Sequence, residues 1–178
     1  MKRKAFPEAT PTLLELWEQL SPVFISAPVD MAELEISGLD PVQMRQCVQH
    51  LLANAHTFIG SRIILVANGA QVMLSSPHAA INLLAQQIIY GAFFLKVDVD
   101  GYTLPEMAYF FDGPRTIAIG FATGPEWTPL NIAAFWELLR LLHSFAPQTE
   151  IRLNPDLYDE AICDLFDALA KENLYVSP

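Results

Sequence analysis

The chain has 178 residues, of which 52% are hydrophobic and 17% are charged, and its formal net charge is −10. This length suits one domain, and the composition is that of a folded chain rather than a disordered one. Lys2, Arg3 and Lys4 are three of the ten basic residues, which leaves seven against twenty acidic residues. So large an acidic excess repels nucleic acid and anionic lipid, so neither is expected as a partner.

Cysteine usage and the distribution of apolar residues indicate the compartment. Cys47 and Cys163 are the two cysteines and lie far apart, so we expect reduced thiols and a cytoplasmic protein. The N-terminus lacks the apolar run of a signal peptide, and polar residues interrupt every window long enough to span a membrane. We therefore predict a flexible leader over residues 1–11 and a single globular α/β domain over residues 12–178.

Apolar periodicity, capping residues and turn residues predict the elements of this domain. Asp40-Pro41, Ser76-Pro77 and Thr128-Pro129 each combine a helix-capping residue with a first-turn proline. Asn68-Gly69 favours a type I′ hairpin turn, since it tolerates positive φ angles. In chain order the predicted elements are helix 12–20, strand 32–37, helix 41–58, strands 62–66 and 71–75, helix 77–90, strand 92–98, the segment 104–111 (strand or short helix), strand 116–122, helix 129–145, strand 150–153 and helix 155–172.

These elements predict one mixed α/β domain with a central, mainly antiparallel sheet. Strand 63–66 is apolar on both of its faces, which is typical of a strand covered on two sides. Strand 32–37 instead alternates Leu34 and Ile36 with Glu33 and Glu35, so it is predicted to be half-exposed. We therefore expect helices to pack on both faces of the sheet.

A long neutral segment is the most unusual feature of the sequence. From Gln46 to Leu95 the only charged side chain is Arg62, although the chain as a whole is acidic. The helix predicted within this segment has a polar but uncharged line spaced by four residues, formed by His78, Asn82, Gln86 and Tyr90. Subunit interfaces are depleted of Lys and Glu, so these four residues are predicted to form an interface with a second copy or another protein. Cover by a loop of the same chain and a small-molecule site are the alternatives.

A second set of residues predicts a ligand site instead of an interface. Asp98, Asp100 and Asp112 follow predicted strands and are expected to gather at one end of the sheet. The loop 123–128, with Trp127 and Thr128 at its end, is expected to lie beside them. Trp127 is either a lid over the core or a platform for a ligand.

Motifs for metals, cofactors and catalysis are incomplete in this sequence. Cys47 and His50 share a helical face, but two ligands do not make a closed zinc site. The segment 96–101 resembles the front of a calcium loop, yet Lys96 replaces its first carboxylate and Met107 its bidentate one. The sequence has no G-x-S-x-G, H-E-x-x-H or C-x-x-C motif. We expect no metal, no cofactor and no catalytic residue.

The element order supports a specific kind of module. From Pro41 to Phe145 the predicted order is helix, two strands, helix, up to three strands and helix. This order resembles that of roadblock-like dimerisation modules, which act as scaffolds and regulators of small GTPases, and no residue motif adds to the resemblance. The sequence therefore predicts a non-catalytic regulatory or assembly module that acts through protein-protein contacts as a homodimer. The alternative is a small-ligand binder or enzyme.

Overall fold

The structure, a computed structural model, describes residues 13–25, 31–113 and 115–175, and all but the side chain of Asp112 within them. The predicted leader, residues 1–11, lies outside these ranges. The described residues form a mixed α/β domain with one hydrophobic core, which confirms the predicted fold class.

The described residues contain five helices, and three of them begin after a residue whose side chain caps the first turn. Asp40 accepts hydrogen bonds from the backbone N–H groups of Val42 and Gln43, and Gln43 returns the capping-box bond to the Asp40 N–H. Thr128 and Asp159 cap later helices in a similar way. The helices are α1 (Leu13–Phe24), α2 (Pro41–Ala53), α3 (Ala80–Ala85, preceded by a 3₁₀ turn at Pro77–Ala79), α4 (Pro129–Phe145) and α5 (Glu160–Asn173).

The sheet is antiparallel throughout the described residues. Its strands are β1 (Met31–Ser37), β2 (Ala55–Leu65), β3 (Gln71–Val72), β4 (Ile89–Val99), β5 (Tyr102–Thr103), β6 (Met107–Gly113), β7 (Thr116–Ala122) and β8 (Glu150–Leu153). They are arranged in the order β3-β2-β4-β6-β7-β1-β8, and β5 pairs only with the end of β4. Segment 104–111, which was predicted to be either a strand or a short helix, is therefore mostly part of strand β6.

The two faces of this sheet differ. One face presents Phe93, Leu95, Tyr109, Ile119 and their alternating neighbours to the core, together with residues of all five helices. The helices also contact one another, α1 with α4 and α5, and α2 with α3 and α4. In the described ranges the helices thus form one layer on one face. The helices pack on the sheet as the predicted fold class requires, and in the described ranges they lie on one of its faces, whereas β4, β6 and β7 carry small residues on the other.

The core is continuous across the helix layer. Four rings, Phe24, Phe121, Trp127 and Phe135, form its aromatic centre with centroid separations between 4.4 and 5.6 Å. They join α1, β7 and α4. Among the described residues no helix is long and apolar enough to cross a membrane.

Several boundaries in the neutral segment differ from the prediction. The helix expected to reach about residue 58 ends at Ala53, and residues 55–60 pair with β4 instead. Sheet pairing satisfies their backbone groups and Thr57, Phe58 and Ile59 favour strands, so tertiary context overrides the helical periodicity.

The hairpin and the helix after it also differ. A five-residue loop, 66–70, joins β2 to β3, and of Asn68 and Gly69 only Gly69 has a positive φ, so the turn is not type I′. The helix expected to continue to Tyr90 ends at Ala85, where Gln87 adopts φ 57° and the chain enters β4. The predicted line of four residues is therefore split between two elements.

Candidate functional site

The candidate site is the face of the sheet that no described helix covers, here called the open face. It consists of alternate residues of the central strands, whose partners across the strands fix which side they occupy. Several members are small, two are phenylalanines, and charged residues lie on the outer strands. By this register the open face comprises Arg62, Ile64, Tyr90, Ala92, Phe94, Lys96, Ala108, Phe110, Thr116, Ala118, Gly120, Ala122, Met31, Glu33, Glu35, Ser37, Glu150 and Arg152.

One row of paired residues crosses this face through its centre. Arg62 on β2 pairs with Ala92, which pairs with Phe110 on β6. Phe110 pairs with Ala118, and Ala118 pairs with Glu35 on β1. Arg62 and Glu35 therefore lie in the same row, each two strands from Phe110.

Glycine at position 120 shapes the centre of the open face. A Cβ atom at this position would lie 3.0 Å from the Phe110 ring and 3.3 Å from the sulfur of Met31. The missing side chain thus lets Phe110 and Met31 lie low over β7. The centre of the face is thus made of alanine, glycine and two half-buried phenylalanines.

Charge is distributed unevenly across the open face: the β1 side is mainly acidic, although Arg152 on β8 is the cross-strand neighbour of Glu35 and forms an ion pair with Glu150 at 3.1 Å. Glu33 and Glu35 lie on the β1 side, where the amide of Asn154 donates a hydrogen bond to Glu33 at 2.9 Å. Arg62 and Lys96 lie on the opposite side, and Arg62 and Glu35 form no ion pair within the described part of the chain. A depression of about 340 Å³ lies on the acidic side, and its lining residues are Glu33, Glu35, Phe110, Gly113, Thr116 and Ala118.

The residues predicted to form an interface are divided by the structure. His78, Asn82 and Gln86 lie along the 3₁₀ turn and α3 and are exposed, so no described segment of the chain covers them. Tyr90 lies on β4, half-buried on the open face, and is thus separate from the other three. Val66 and Ile88, joined by a backbone hydrogen bond next to α3, also expose apolar side chains, and so does Met73 after the edge strand β3.

The residues predicted for ligand binding do not come together as one site. Trp127 is buried in the aromatic centre, and its indole N–H donates to the Ala122 carbonyl at 2.7 Å, so its ring belongs to the core. Thr128 caps α4 through its hydroxyl oxygen, which accepts a hydrogen bond from the Asn131 N–H. Both side chains therefore have structural roles.

The three aspartates lie at opposite ends of the sheet. Ala92 pairs with Phe110, and from this pair Asp98 lies six residues along β4 while Asp112 lies two residues along β6 in the opposite direction. At a rise of about 3.3 Å per residue, Asp98 and Asp112 are roughly 25 Å apart. Asp100, an exposed residue with φ 48°, follows Asp98 in the turn to β5. The three residues therefore do not gather at one end of the sheet, because β4 and β6 are antiparallel neighbours and their C-terminal ends lie at opposite ends.

Asp98 has its own local partners. The Thr103 hydroxyl donates to its carboxylate at 2.6 Å, and His56 Nδ1 lies 3.2 Å from the other oxygen. These contacts lower the pKa of Asp98, chiefly through the Thr103 bond. The Asp98 carboxylate lies between the Thr103 hydroxyl and the His56 imidazole. A base that activates a hydroxyl nucleophile must contact that hydroxyl directly, and His56 does not contact Thr103 in this way. The arrangement therefore stabilises the β4–β5 turn.

The candidate metal residues have local explanations as well. Burial raises the pKa of the Cys47 thiol to about 12, and its sulfur contacts the Leu142 carbonyl at 3.8 Å. His50 packs its ring on Phe145, and burial lowers its pKa. Across the described ranges no group of three or more His, Cys, Asp or Glu residues is arranged to hold a metal ion.

The residues of the open face were only partly foreseen. The alternation in strand 32–37 placed Glu33 and Glu35 on the solvent side, and the structure agrees. The other signal was in β7, where Thr116, Ala118, Gly120 and Ala122 alternate with large apolar residues. Small residues at every second position distinguish this face of β7 from its core face, which carries Ile117, Ile119 and Phe121.

Neither a protein-family model nor a curated protein matches this chain. Among solved structures, a chain in the 1.75 Å crystal structure of the toxic C-terminal tip of CdiA from Pseudomonas aeruginosa in complex with immune protein is similar to it. The two chains are 11% identical with a TM-score of 0.48, over 71% of this chain and 87% of the other. A likeness this distant establishes neither a family nor a function.

Proposed function

We propose that this chain is a non-catalytic regulatory or assembly module that acts through protein-protein contacts, as a homodimer. The observation that carries the proposal is the open face. An antiparallel sheet with one face in water normally carries polar residues on that face. Here the central positions are Ala118 and two phenylalanines, Phe94 and Phe110, all half-buried, around the buried small residues Ala92, Ala108 and Gly120. A contiguous apolar surface bordered by charges is typical of a protein-binding surface.

The distribution of perturbed ionisable groups favours a binding module over an enzyme. Tyr109, Tyr158 and Cys47 have raised pKa values, mainly because burial disfavours their charged forms. They lie apart in the core, and they line neither the depression beside Glu35 nor the one beside Leu84. Active sites instead bring perturbed groups together in a cleft. The two thiols are unpaired, which fits the cytoplasmic location that we propose.

The exposed neutral surface near α3 is a second contact surface in this proposal. It contains His78, Asn82 and Gln86 together with the exposed apolar residues of the β2–β3 end. It lies on the helix side, so a protein on the open face leaves it accessible. We propose that this surface binds a different protein partner.

The experiment compares the two surfaces by sedimentation equilibrium at fixed ionic strength. We expect the wild-type chain to dimerise at micromolar concentration and Ala118→Lys to weaken the dimer by about tenfold or more, because a charged side chain would be buried. Glu35 is the cross-strand neighbour of Ala118, so the new ammonium has a partner in the monomer. Ala168→Lys, the same change at an exposed position of α5, is the matched control and should have no effect.

The same measurement on Asn82→Glu with Gln86→Glu separates the surfaces. An unchanged dimer in this variant supports the open face, and loss of the dimer only in this variant identifies the α3 surface as the dimer interface. A wild-type chain that stays monomeric overturns the homodimer. The ligand alternative then gains support if metabolites, nucleotides or divalent ions raise the unfolding temperature in a screen at fixed protein concentration.

A further inference from the structure

We propose that a second copy of this chain covers the open face about a two-fold axis parallel to β6, with Arg62 of each copy in the acidic depression of the other. The inference rests on the proposed function and deepens it, since it names the occupant of the face and the residues that pair. The argument depends on the register of the sheet, the shape of the depression and the separation of charge.

The register places opposite charges symmetrically about β6. Arg62 and Glu35 share one cross-strand row, and Phe110 is the middle of the row between them. Neighbouring strands are about 4.8 Å apart, so each charged residue lies roughly 10 Å from the β6 line. A rotation of 180° about an axis along that line exchanges the two sides and keeps the position along the strands. It therefore sets Arg62 of one copy opposite Glu35 of the other, and the reverse.

The normal twist of packed sheets is compatible with this pairing. Stacked sheets cross at about 30°, which at 10 Å from the axis moves facing residues by roughly 5 Å along the strands. Glu33 is the next open-face residue on β1, about 7 Å from Glu35 along the strand. An arginine displaced in that direction meets Glu33 instead of leaving the acidic side.

The depression has the chemistry that a guanidinium requires. Its volume is about 340 Å³, and it presents Glu33 and Glu35 on one side and the Phe110 ring on the other. Carboxylates bind guanidinium groups through charge-assisted hydrogen bonds, and an aromatic ring face attracts the same cation. Ala118 forms the floor, so the long side chain of Arg62 from another copy meets no steric obstacle there.

Self-complementarity favours a second copy over an unrelated protein. A two-fold interface requires that one surface carry both members of each contact, and this face carries both. Arg62 is the only charged residue from Gln46 to Leu95, yet it forms no ion pair with any residue that the structure describes. An isolated arginine bordering an apolar face gains its partner when two copies meet.

The test is a charge exchange between two variants. Arg62→Glu gives a chain with Glu at both positions, and Glu35→Arg gives a chain with Arg at both. Each variant alone places like charges opposite each other twice, so we expect its dimer to be about tenfold or more weaker than the wild type. In an equimolar mixture both contacts are attractive, so we expect heterodimers with an affinity within a few-fold of the wild type. Sedimentation equilibrium measures all three samples, and mass spectrometry under native conditions identifies the heterodimer.

Controls separate folding from association. Lys171→Glu reverses one charge at an exposed position of α5 and should leave the dimer unchanged. Thermal unfolding of each variant shows whether the monomer is folded, and the milder Arg62→Gln and Glu35→Gln replace any variant that does not fold. For these milder variants we expect a smaller loss of affinity, about threefold to tenfold for each.

The outcomes distinguish this inference from the broader proposal. Restored heterodimers support the arrangement. Variants that dimerise like the wild type overturn the pairing, and the proposed function still stands if Ala118→Lys weakens the dimer. Variants that are weak both alone and when mixed also overturn the pairing. A monomeric wild type overturns the second copy as the occupant.

Discussion

At the scale of single residues, His143 shows how burial makes the stability of this fold depend on pH. Its ring packs on Tyr175 with a centroid separation of 4.7 Å, and Nδ1 lies 3.3 Å from the Thr149 hydroxyl. Burial lowers the pKa of His143 below the ordinary value of 6.5. The unfolded chain therefore binds a proton at a higher pH than the folded chain does. The stability from this group is complete above about pH 6.5 and is lost as pH falls through the folded pKa.

The prediction is that the unfolding temperature falls as pH decreases from 7 to 5. His143→Gln should reduce this slope, because it removes a proton-binding site that only the unfolded chain uses freely. Burial also lowers the pKa of His50, so part of the slope should remain. Calorimetry at several pH values measures both effects. A variant with the same slope as the wild type would contradict the assignment.

Arg62 marks what residue patterns can and cannot predict. The sequence showed that it is the only charge in a long neutral segment, and it showed that Glu33 and Glu35 face solvent. It did not show that Arg62 and Glu35 share a row, because that relation passes through four strand pairings between residues far apart in the chain. Charge can be read locally, whereas register depends on the whole sheet.

At the scale of elements, the contact between β2 and β4 depends on one glycine. Gly91 pairs with Ile63 and has φ +141°, and a Cβ atom there would overlap the carbonyl oxygen of Arg62. This close approach holds the backbone of Arg62 against β4. The neutral segment therefore packs closely against β4 at Arg62, the residue that we place in the dimer interface.

Gly91→Ala should therefore destabilise the fold by about 2 kcal/mol or more. Gly124→Ala is a matched control, because Gly124 has nearly the same φ, +142°, but no atom within 4 Å of the added Cβ. Gly124→Ala should introduce backbone strain but no steric overlap, so its free energy of unfolding should fall by less than that of Gly91→Ala. Chemical denaturation with urea gives both values. Equal losses for the two variants would contradict the role of the close approach.

Elements with strong local signals were predicted at or near their true limits. Strands 116–122 and 150–153 and helix 129–145 match β7, β8 and α4, since their caps and periodicity agree with their tertiary environment. The helix predicted to reach residue 58 and the one predicted over 77–90 were both too long. In these segments apolar residues satisfy helical periodicity, and only pairing with β4 makes them strand or turn.

At the scale of the whole molecule, the sheet separates two surfaces that the sequence had combined. Tyr90 faces the open side, while His78, Asn82 and Gln86 lie with α3 on the helix side. The fold class could be predicted from element order, but the single helix layer could not. Which face a helix covers depends on how the chain crosses the sheet, and several of its connections are long.

Two exposed methionines of the wild-type chain compare the open face with the edge of the sheet. Met31 lies on the open face and is 54% exposed, whereas Met73 follows the edge strand β3 and is 89% exposed. Peroxide oxidises exposed methionines to sulfoxides, and contact with a second molecule slows this reaction. Oxidation rates at several protein concentrations, measured by mass spectrometry of peptides, therefore show which surface becomes covered.

We predict that Met31 oxidation slows as the concentration rises through the dimerisation range while the rate at Met73 stays constant. Constant rates at both positions, or protection of Met73 alone, would contradict the claim that the open face is where two copies meet.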